Sequence, residues 1–243
     1  MFSFFKKSKS IEVIGDFIHT DMHSHILPGI DDGADDLIDS VKMLTRFVEL
    51  GYTKAILTPH IMGDSYKNTP EGIREKLNLV KENSKHLNIE IEAAAEYYVD
   101  DILYHNILKG MEILTFGSKK YVLIETSYIN EASYLNHVTF ELISKGFTPV
   151  LAHPERYTYM YGKFNKYIEL FDRGLLFQLN INSLAGYYSP MAQKISEKLI
   201  DNKMIHFLGT DCHSMKHTEI ITKVKSLKYY NKLRDLPLLN NSL

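Results

Sequence analysis

Short apolar runs alternate along this chain with segments whose apolar residues recur every three or four positions. The runs lie at 17–22 (FIHTDM), 54–58 (KAILT), 89–95 (IEIEAAA), 120–125 (KYVLIE), 148–152 (TPVLA), 175–181 (LLFQLNI) and 205–209 (IHFLG). Each predicts a strand. Leu37, Val41, Leu44 and Val48 mark one helix, and Ile73, Leu77, Val80 and Leu87 a second. Met191, Ile195 and Leu199 mark a later one. Thr69-Pro70 and Ser189-Pro190 each supply an N-cap followed by a proline in the first turn. Gly51, Gly146 and Gly174 sit where helices should stop. Strand-then-helix units in this order require parallel strands joined by helical crossovers. No Pro/Ser-rich linker, charge block or repeat divides the chain. The predicted architecture is a single α/β domain over 13–243, a closed or nearly closed (β/α) barrel. An open doubly wound sheet is the rival. No Gly-rich loop follows the first strand, which argues against a dinucleotide or P-loop site.

Composition narrows the function. The chain has 243 residues, 44% of them hydrophobic, and a formal net charge of -2. A core of ordinary size is available, and there is no basic footprint for nucleic acid. The single cysteine, Cys212, excludes an internal disulfide and a cysteine zinc finger. That suits a reducing, cytoplasmic setting. The N-terminal MFSFFKKSKS lacks the apolar core of a signal peptide. Residues 1–12 are read as a flexible tail, with a weak membrane-surface contact through Phe and Lys as the alternative. No run is long enough to span a membrane.

The polar residues fall at the predicted strand ends. His23 and His25 follow the first strand, His60 the second and Glu96 the third. Glu125 ends the fourth, His153 follows the fifth, and Asp211 and His213 follow the seventh. In a parallel barrel these ends share the face on which active sites are built. His23/His25 and Asp211/His213 are i, i+2 pairs, whose side chains point the same way in extended chain. Cys212 then points away. Taken singly, His60 reads as a hydrogen-bonded loop residue and Glu96 as a surface acid. Glu125 follows an apolar run into the interior, where an unpaired carboxylate is costly. Taken together, the set favours a metal centre. His86, His105, His137, His206 and His217 read as structural or surface residues. His19, inside the first strand, is a candidate to orient a ligand.

The motifs DMHSH, TPH, AAAEYY, LIETS, AHPERY and TDCH, in this order, resemble the polymerase-and-histidinol-phosphatase (PHP) superfamily of metal-dependent phosphoesterases. DMHSHILPGIDDG with AHPERY is similar to its bacterial manganese-dependent protein tyrosine phosphatases, linked to capsule and exopolysaccharide synthesis. The resemblance implies a distorted seven-stranded (β/α) barrel. It implies three divalent ions held by His23, His25, Asp32, His60, Glu96, Glu125, His153, Asp211 and His213, with Asp32 rather than Asp31 at the family position. Arg156 matches the arginine that grips phosphate. Manganese is implied; the mixed His and carboxylate set also suits iron or zinc. The implied partner is a phosphotyrosine protein, a bacterial tyrosine autokinase.

The chemistry agrees with that picture. Four carboxylates carry about -4 and three divalent ions about +6, which leaves about +2 to meet a phosphate monoester dianion. Arg156 adds a planar fork for phosphate oxygens. The expected reaction is in-line attack by metal-activated water, with no Cys or Ser nucleophile. Tyr97, Tyr98, Tyr128, Tyr157, Tyr159, Tyr161, Tyr187 and Tyr188 crowd the same loops. They pose a choice between ordinary packing and an aromatic rim for phosphotyrosine. Two other readings stand beside a tyrosine phosphatase. One is a small-molecule phosphatase of the histidinol-phosphate kind; the other is a catalytically silent metal-binding module.

Overall fold

Every strand pairing in the computed structural model, which describes residues 17–243, is parallel. The tail expected over 1–12, with its membrane-surface alternative, lies outside the described residues. The strands are β1 (Thr20–Asp21), β2 (Lys54–Leu57), β3 (His60–Ile61), β4 (Glu90–Ala93) and β5 (Glu96–Tyr98). They continue with β6 (Tyr121–Glu125), β7 (Thr148–Ala152), β8 (Leu176–Asn180) and β9 (Phe207–Gly209). The helices are α1 (Leu37–Glu49), α2 (Pro70–Asn83), α3 (Asp101–Leu108), α4 (Leu135–Ser144), α5 (Phe164–Asp172), α6 (Pro190–Asp201), α7 (Met215–Val224) and α8 (Lys228–Lys232). Thr69 and Ser189 cap α2 and α6 through their hydroxyls, as their positions before proline predict. Gly51, Gly146 and Gly174 follow α1, α4 and α5 with φ of 93°, 82° and 92°, a region that favours glycine.

Two of the predicted strands are each followed, after a break, by a short second strand outside the predicted run. The run at 54–58 gives β2, and a further strand, β3, follows it past Thr58-Pro59; the run at 89–95 gives β4, and β5 follows it past Ala95. Pro59 has no N–H to give to a ladder. The breaks divide the strands into a three-stranded sheet, β1-β2-β4, and a six-stranded sheet, β3-β5-β6-β7-β8-β9. Where a closed barrel would have one continuous ladder, the described residues form two sheets. The outermost strands β1 and β9 meet beyond their ends. Ser24 and Cys212 form an isolated parallel bridge, Asp211 N–H donates to His23 O at 2.7 Å, and His25 N–H donates to Cys212 O at 3.0 Å. Near the chain end, buried Asn240 donates to Thr20 O and Leu208 O and accepts from Leu208 N–H.

Alternate strand residues enter two apolar clusters. Ala55, Leu57, Val122, Ile124, Leu151 and Leu208 pack with helix residues such as Met43, Phe47, Val80 and Leu142. Met22, Ile56, Ala94, Leu123, Val150, Ala152 and Phe207 form a second cluster that takes nothing from the α-helices. The period-2 alternation of strands explains the division. The second set is the inner face. Its register continues from Ile56 to His60, from Ala94 to Glu96 and from Leu123 to Glu125, so apolar positions give way to polar ones toward the strand ends.

Candidate metal centre

His60 opens β3, Glu96 opens β5 and Glu125 closes β6, while His153 follows β7 and Asp211 and His213 follow β9. His23 and His25 follow β1, and Asp32 comes from the loop before α1. The structure brings all nine of these predicted residues to one end of the sheets. Three groups of donor atoms form, each within 4.8 Å. The first joins His23, His25, Glu96 and Asp211. Its His23 and His25 Nε2 atoms lie 3.2 Å apart; Glu96 Oε2 is 3.1 Å from His23, and Asp211 Oδ1 is 3.3 Å from His25. The second joins His60, Glu96 and Glu125, with His60 Nδ1 3.2 Å from Glu96 and 3.1 Å from Glu125. His153 borders it, its Nε2 3.1 Å from Glu96 Oε1 and 4.0 Å from Glu125 Oε2. The third joins His25, Asp32, His60 and His213, with Asp32 Oδ1 3.5 Å from His60 and 3.4 Å from His213.

The neighbouring aspartates divide the work. Asp31 turns its carboxylate to His25 Nδ1 at 2.8 Å and also accepts from the backbone N–H of Gly33 and His60. Asp32 instead faces His60 and His213 with half its side chain open to solvent. Because His25 spends Nδ1 on Asp31, only its Nε2 is free for the cluster. On the other side, Gln178 Oε1 meets His23 Nδ1 at 2.9 Å and accepts from His153 N–H. These are the outer partners that fix imidazole orientation at metal sites.

Backbone geometry is constrained at the same place. His153 and Asp211 have φ of 32° and 49°, the left-handed region that non-glycine residues seldom adopt. Arg156 N–H to His153 O and Asp211 N–H to His23 O hold them there. A Cβ on Gly33 would lie 1.9 Å from His25 O, and one on Gly209 would lie 2.7 Å from His23 Cβ. Both positions allow the chain to pass close against the histidine pair.

The electrostatics call for cations. Burial opposes protonation of His23, yet the carboxylates of Glu96 and Asp211 lift it to about 9. Burial alone would raise Glu96 and Asp211, but facing histidines, His23 foremost, hold both well below the usual carboxylate range. Glu125 goes the other way, pushed up by burial and by the charge on Glu96. Burial and Arg156 hold His153 at about 4, in its neutral, ligand-competent form. His60 Nδ1, Glu96 Oε2 and Glu125 Oε1 are buried without a hydrogen-bond partner. Inward lone pairs, crowded carboxylates and mixed N/O donors suit a cluster of divalent ions.

Arg156 stands at the edge of this cluster. Its Nη1 donates to Asp211 Oδ2 at 2.6 Å, and its guanidinium lies 4.5 Å from the Tyr128 ring centre and 3.9 Å from that of Tyr188. It shares a cavity of about 430 Å³ with Asp32, His60, Glu125, Asp211 and His213. Tyr66, Tyr98 and Tyr128 line the same cavity. The aromatic rim is therefore differently composed from the one expected. Tyr157 is fully buried, its hydroxyl donating to Ala152 O, and Tyr97 is buried as well. Tyr66, stacked on His60 at 5.5 Å, was not anticipated. His19 is exposed and its side chain has no place at the centre. Cys212 is buried in the core with its sulfur toward Ser214 O, the outcome expected from the i, i+2 spacing, although Asp211 beside it is left-handed rather than extended. His217, read as structural or surface, supports the last loop through Nδ1, next to His213 N and Asp211 O.

The sixth run, LLFQLNI, had no metal-competent residue, and its contribution was missed. Gln178 orients His23, and Asn180, two residues on, donates to Asp211 Oδ2 at 2.9 Å. A polar i, i+2 pair inside an otherwise apolar run was the available signal. Asp31 and Tyr66 had no comparable signature.

The sequence matches the family model described as "Capsular polysaccharide synthesis, CpsB/CapC" over residues 19–229. It is 31% identical over 220 residues to the putative tyrosine-protein phosphatase CapC of Staphylococcus aureus, covering 88% of this chain and 86% of the relative. It is 32% identical over 201 residues to the tyrosine-protein phosphatase YwqE of Bacillus subtilis, covering 81% and 78%. Among solved structures, one from the work on YwqE of Bacillus subtilis and CpsB of Streptococcus pneumoniae, described as unique metal-dependent tyrosine phosphatases, superimposes with a TM-score of 0.77. It shares 28% identity and covers 90% of this chain and 96% of its own. A histidinol phosphate phosphatase from Lactococcus lactis shares the fold, with a TM-score of 0.55 at 16% identity over 85% of this chain and 93% of its own.

Proposed function

This chain belongs to the CpsB/CapC family of capsular polysaccharide synthesis proteins, and from that premise we propose how its site works. The protein is a metal-dependent protein-tyrosine phosphatase. The observation that carries this reading is the meeting of three donor groups at one end of the sheets, beside an arginine that opens on the same cavity. In this reading His23, His25, Asp32, His60, Glu96, Glu125, His153, Asp211 and His213 hold three divalent ions, manganese being the one the sequence resemblance implies. Such ions, when bound, lower the pKa of water and neutralise phosphoryl charge.

The chain's own residues do the positioning. Arg156 reaches phosphate oxygens with the donors that Asp211 leaves free, and Asp211 with Tyr128 and Tyr188 keeps the guanidinium plane fixed. Asp31 and Gln178 lock the rings of His25 and His23, so each presents one nitrogen inward. Burial of Glu96 and Glu125 lowers the local dielectric, which strengthens the charge interactions these two carboxylates make. The phenolate of phosphotyrosine leaves with a pKa near ~10, so the reaction has little need of a strong acid at the leaving group.

The substrate is read as the phosphotyrosine of a tyrosine kinase that regulates capsular or exopolysaccharide synthesis, met in the cytoplasm. Among the described residues no helix is long and apolar enough to cross a membrane. The two sheets are read as one distorted (β/α)7 barrel, supported by the Ser24–Cys212 bridge and the Asn240 contacts. Metal analysis coupled to aryl-phosphate turnover tests the site. His60→Ala should lose both metal and activity, whereas Arg156→Ala should keep its metal and lose most activity. Full activity of a metal-free preparation would refute the reading.

A further inference from the structure

Beside the metal-centre cavity lies a larger one of about 590 Å³, and the two share Met62, Tyr66 and Tyr98 as walls. A tight loop separates them: Met62 N–H donates to Tyr66 O at 2.9 Å and Tyr66 N–H returns to Met62 O at 3.0 Å. Gly63 in this loop permits a close approach, since a Cβ there would stand 2.3 Å from Ile102 Cδ1. The farther wall is apolar and includes Ile102, Leu103, Met111 and Ile113. Ile102 is 43% exposed and Met111 55%, although both line a concave surface. Large apolar side chains left open in a concavity are available to the apolar group of a ligand. Three acids line this cavity: Asp100 caps α3 through Leu103 N–H, Glu112 pairs with Arg74, and Glu71 stands in the first turn of α2.

Resting on the phosphatase reading, we propose that this second cavity is a specificity subsite that receives a large apolar side chain of the substrate polypeptide, near the phosphotyrosine in sequence. A phosphotyrosine, unlike a free aryl phosphate, is tethered. With its phosphate at Arg156, its backbone must leave by the mouth of the first cavity. The residues that follow must run over adjoining surface. The second cavity shares three walls with the first, and an extended chain advancing about 3.3–3.6 Å per residue crosses a loop of this size in roughly two to four residues. The exposed Ile102 and Met111 then supply the apolar contact, and Met62, Tyr66 and Tyr98 face both the phosphorylated ring and its neighbour.

The metal-loaded protein is tested with p-nitrophenyl phosphate and with phosphotyrosine peptides in a Gly/Ser background. A single Leu is moved through about four positions on each side of the phosphotyrosine. One register should raise kcat/KM about ten-fold over the Leu-free peptide, as burial of most of a Leu side chain would. Ile102→Ser/Met111→Ser, and Met111→Ser alone should the double variant fold poorly, should abolish that advantage and leave p-nitrophenyl phosphate turnover unchanged. Equal turnover of all peptides, or an advantage that survives both variants, overturns the subsite while leaving the phosphatase intact. Turnover of p-nitrophenyl phosphate with none of any peptide overturns the protein-phosphatase reading and the subsite together. A change in particle mass on substitution, with peptide preference unaltered, would mean that a second copy covers this surface, and also overturns it.

Discussion

Arg156 Nη1 lies 2.6 Å from Asp211 Oδ2, while the other oxygen of the same carboxylate points at His23 and His25, 3.4 and 3.3 Å away. One buried carboxylate thus couples Arg156 to the first donor group. Arg156→Lys keeps the charge but loses the planar fork and its seat between two tyrosine rings. It should bind metal as wild type does and lower kcat for aryl phosphate by about a hundred-fold. Metal analysis beside steady-state kinetics checks both halves, and parallel loss of metal would contradict the assignment.

Asp31 and Asp32 are adjacent, yet their substitution should have different consequences. Asp31→Ala frees the His25 ring and deprives His60 N–H of its acceptor. Loss of such an orienting partner typically weakens metal affinity about 10–100-fold. Asp32→Ala removes a donor from the third group alone and should reduce the metal content by about one ion per chain, with the remaining ions held normally. Titration against a competing chelator distinguishes a general weakening from the loss of one site.

His206 gives a pH dependence away from the metal centre. Its Nδ1 accepts from Phe177 N–H at 3.1 Å, and burial holds its pKa below the usual 6.5. The unfolded histidine therefore binds a proton at a higher pH than the folded one. Stability from this group is present above pH 6.5 and is lost as pH falls through the unfolded and then the folded pKa. His206→Asn, whose side-chain oxygen can accept the same bond, should flatten the acid side of the stability curve below about pH 6.5. Urea unfolding at several pH values reads the slope, and an unchanged slope would remove His206 from the account.

Asn240 ties the first strand to the last through bonds to Thr20 and Leu208. Asn240→Ala leaves buried backbone groups without their partner and should cost about 3 kcal/mol, on the scale of one or two unsatisfied groups. Chemical denaturation measures it. A loss under ~0.5 kcal/mol would show that the Ser24–Cys212 bridge holds this seam unaided.

Much of the site was legible because strand ends announce themselves. Apolar runs stop, and the histidine or acid that follows has a predictable side through the period-2 alternation. That logic placed His23, His25 and Glu125 together; for Asp211 and His213 it named the right residues, although Asp211 is left-handed rather than extended. It was weaker for Tyr157: a tyrosine in a loop motif can as readily be swallowed by the core, where its hydroxyl finds Ala152 O. It also passed over Gln178 and Asn180, because neither is a metal ligand and their work is visible only once β8 stands beside His23 and Asp211.

The sequence by itself determined the alternation of strand and helix, the caps at Thr69 and Ser189, and which residue types could gather at one end. These depend on local periodicity and on backbone preferences that neighbours in sequence impose. Tertiary structure alone decided that Asp31 orients while Asp32 faces the cavity, that two runs are each followed by a further short strand, and that Arg156 lies between Tyr128 and Tyr188. Those outcomes rest on contacts between segments far apart in the chain, such as Asp31 with the backbone N–H of His60 and Asp32 with His213.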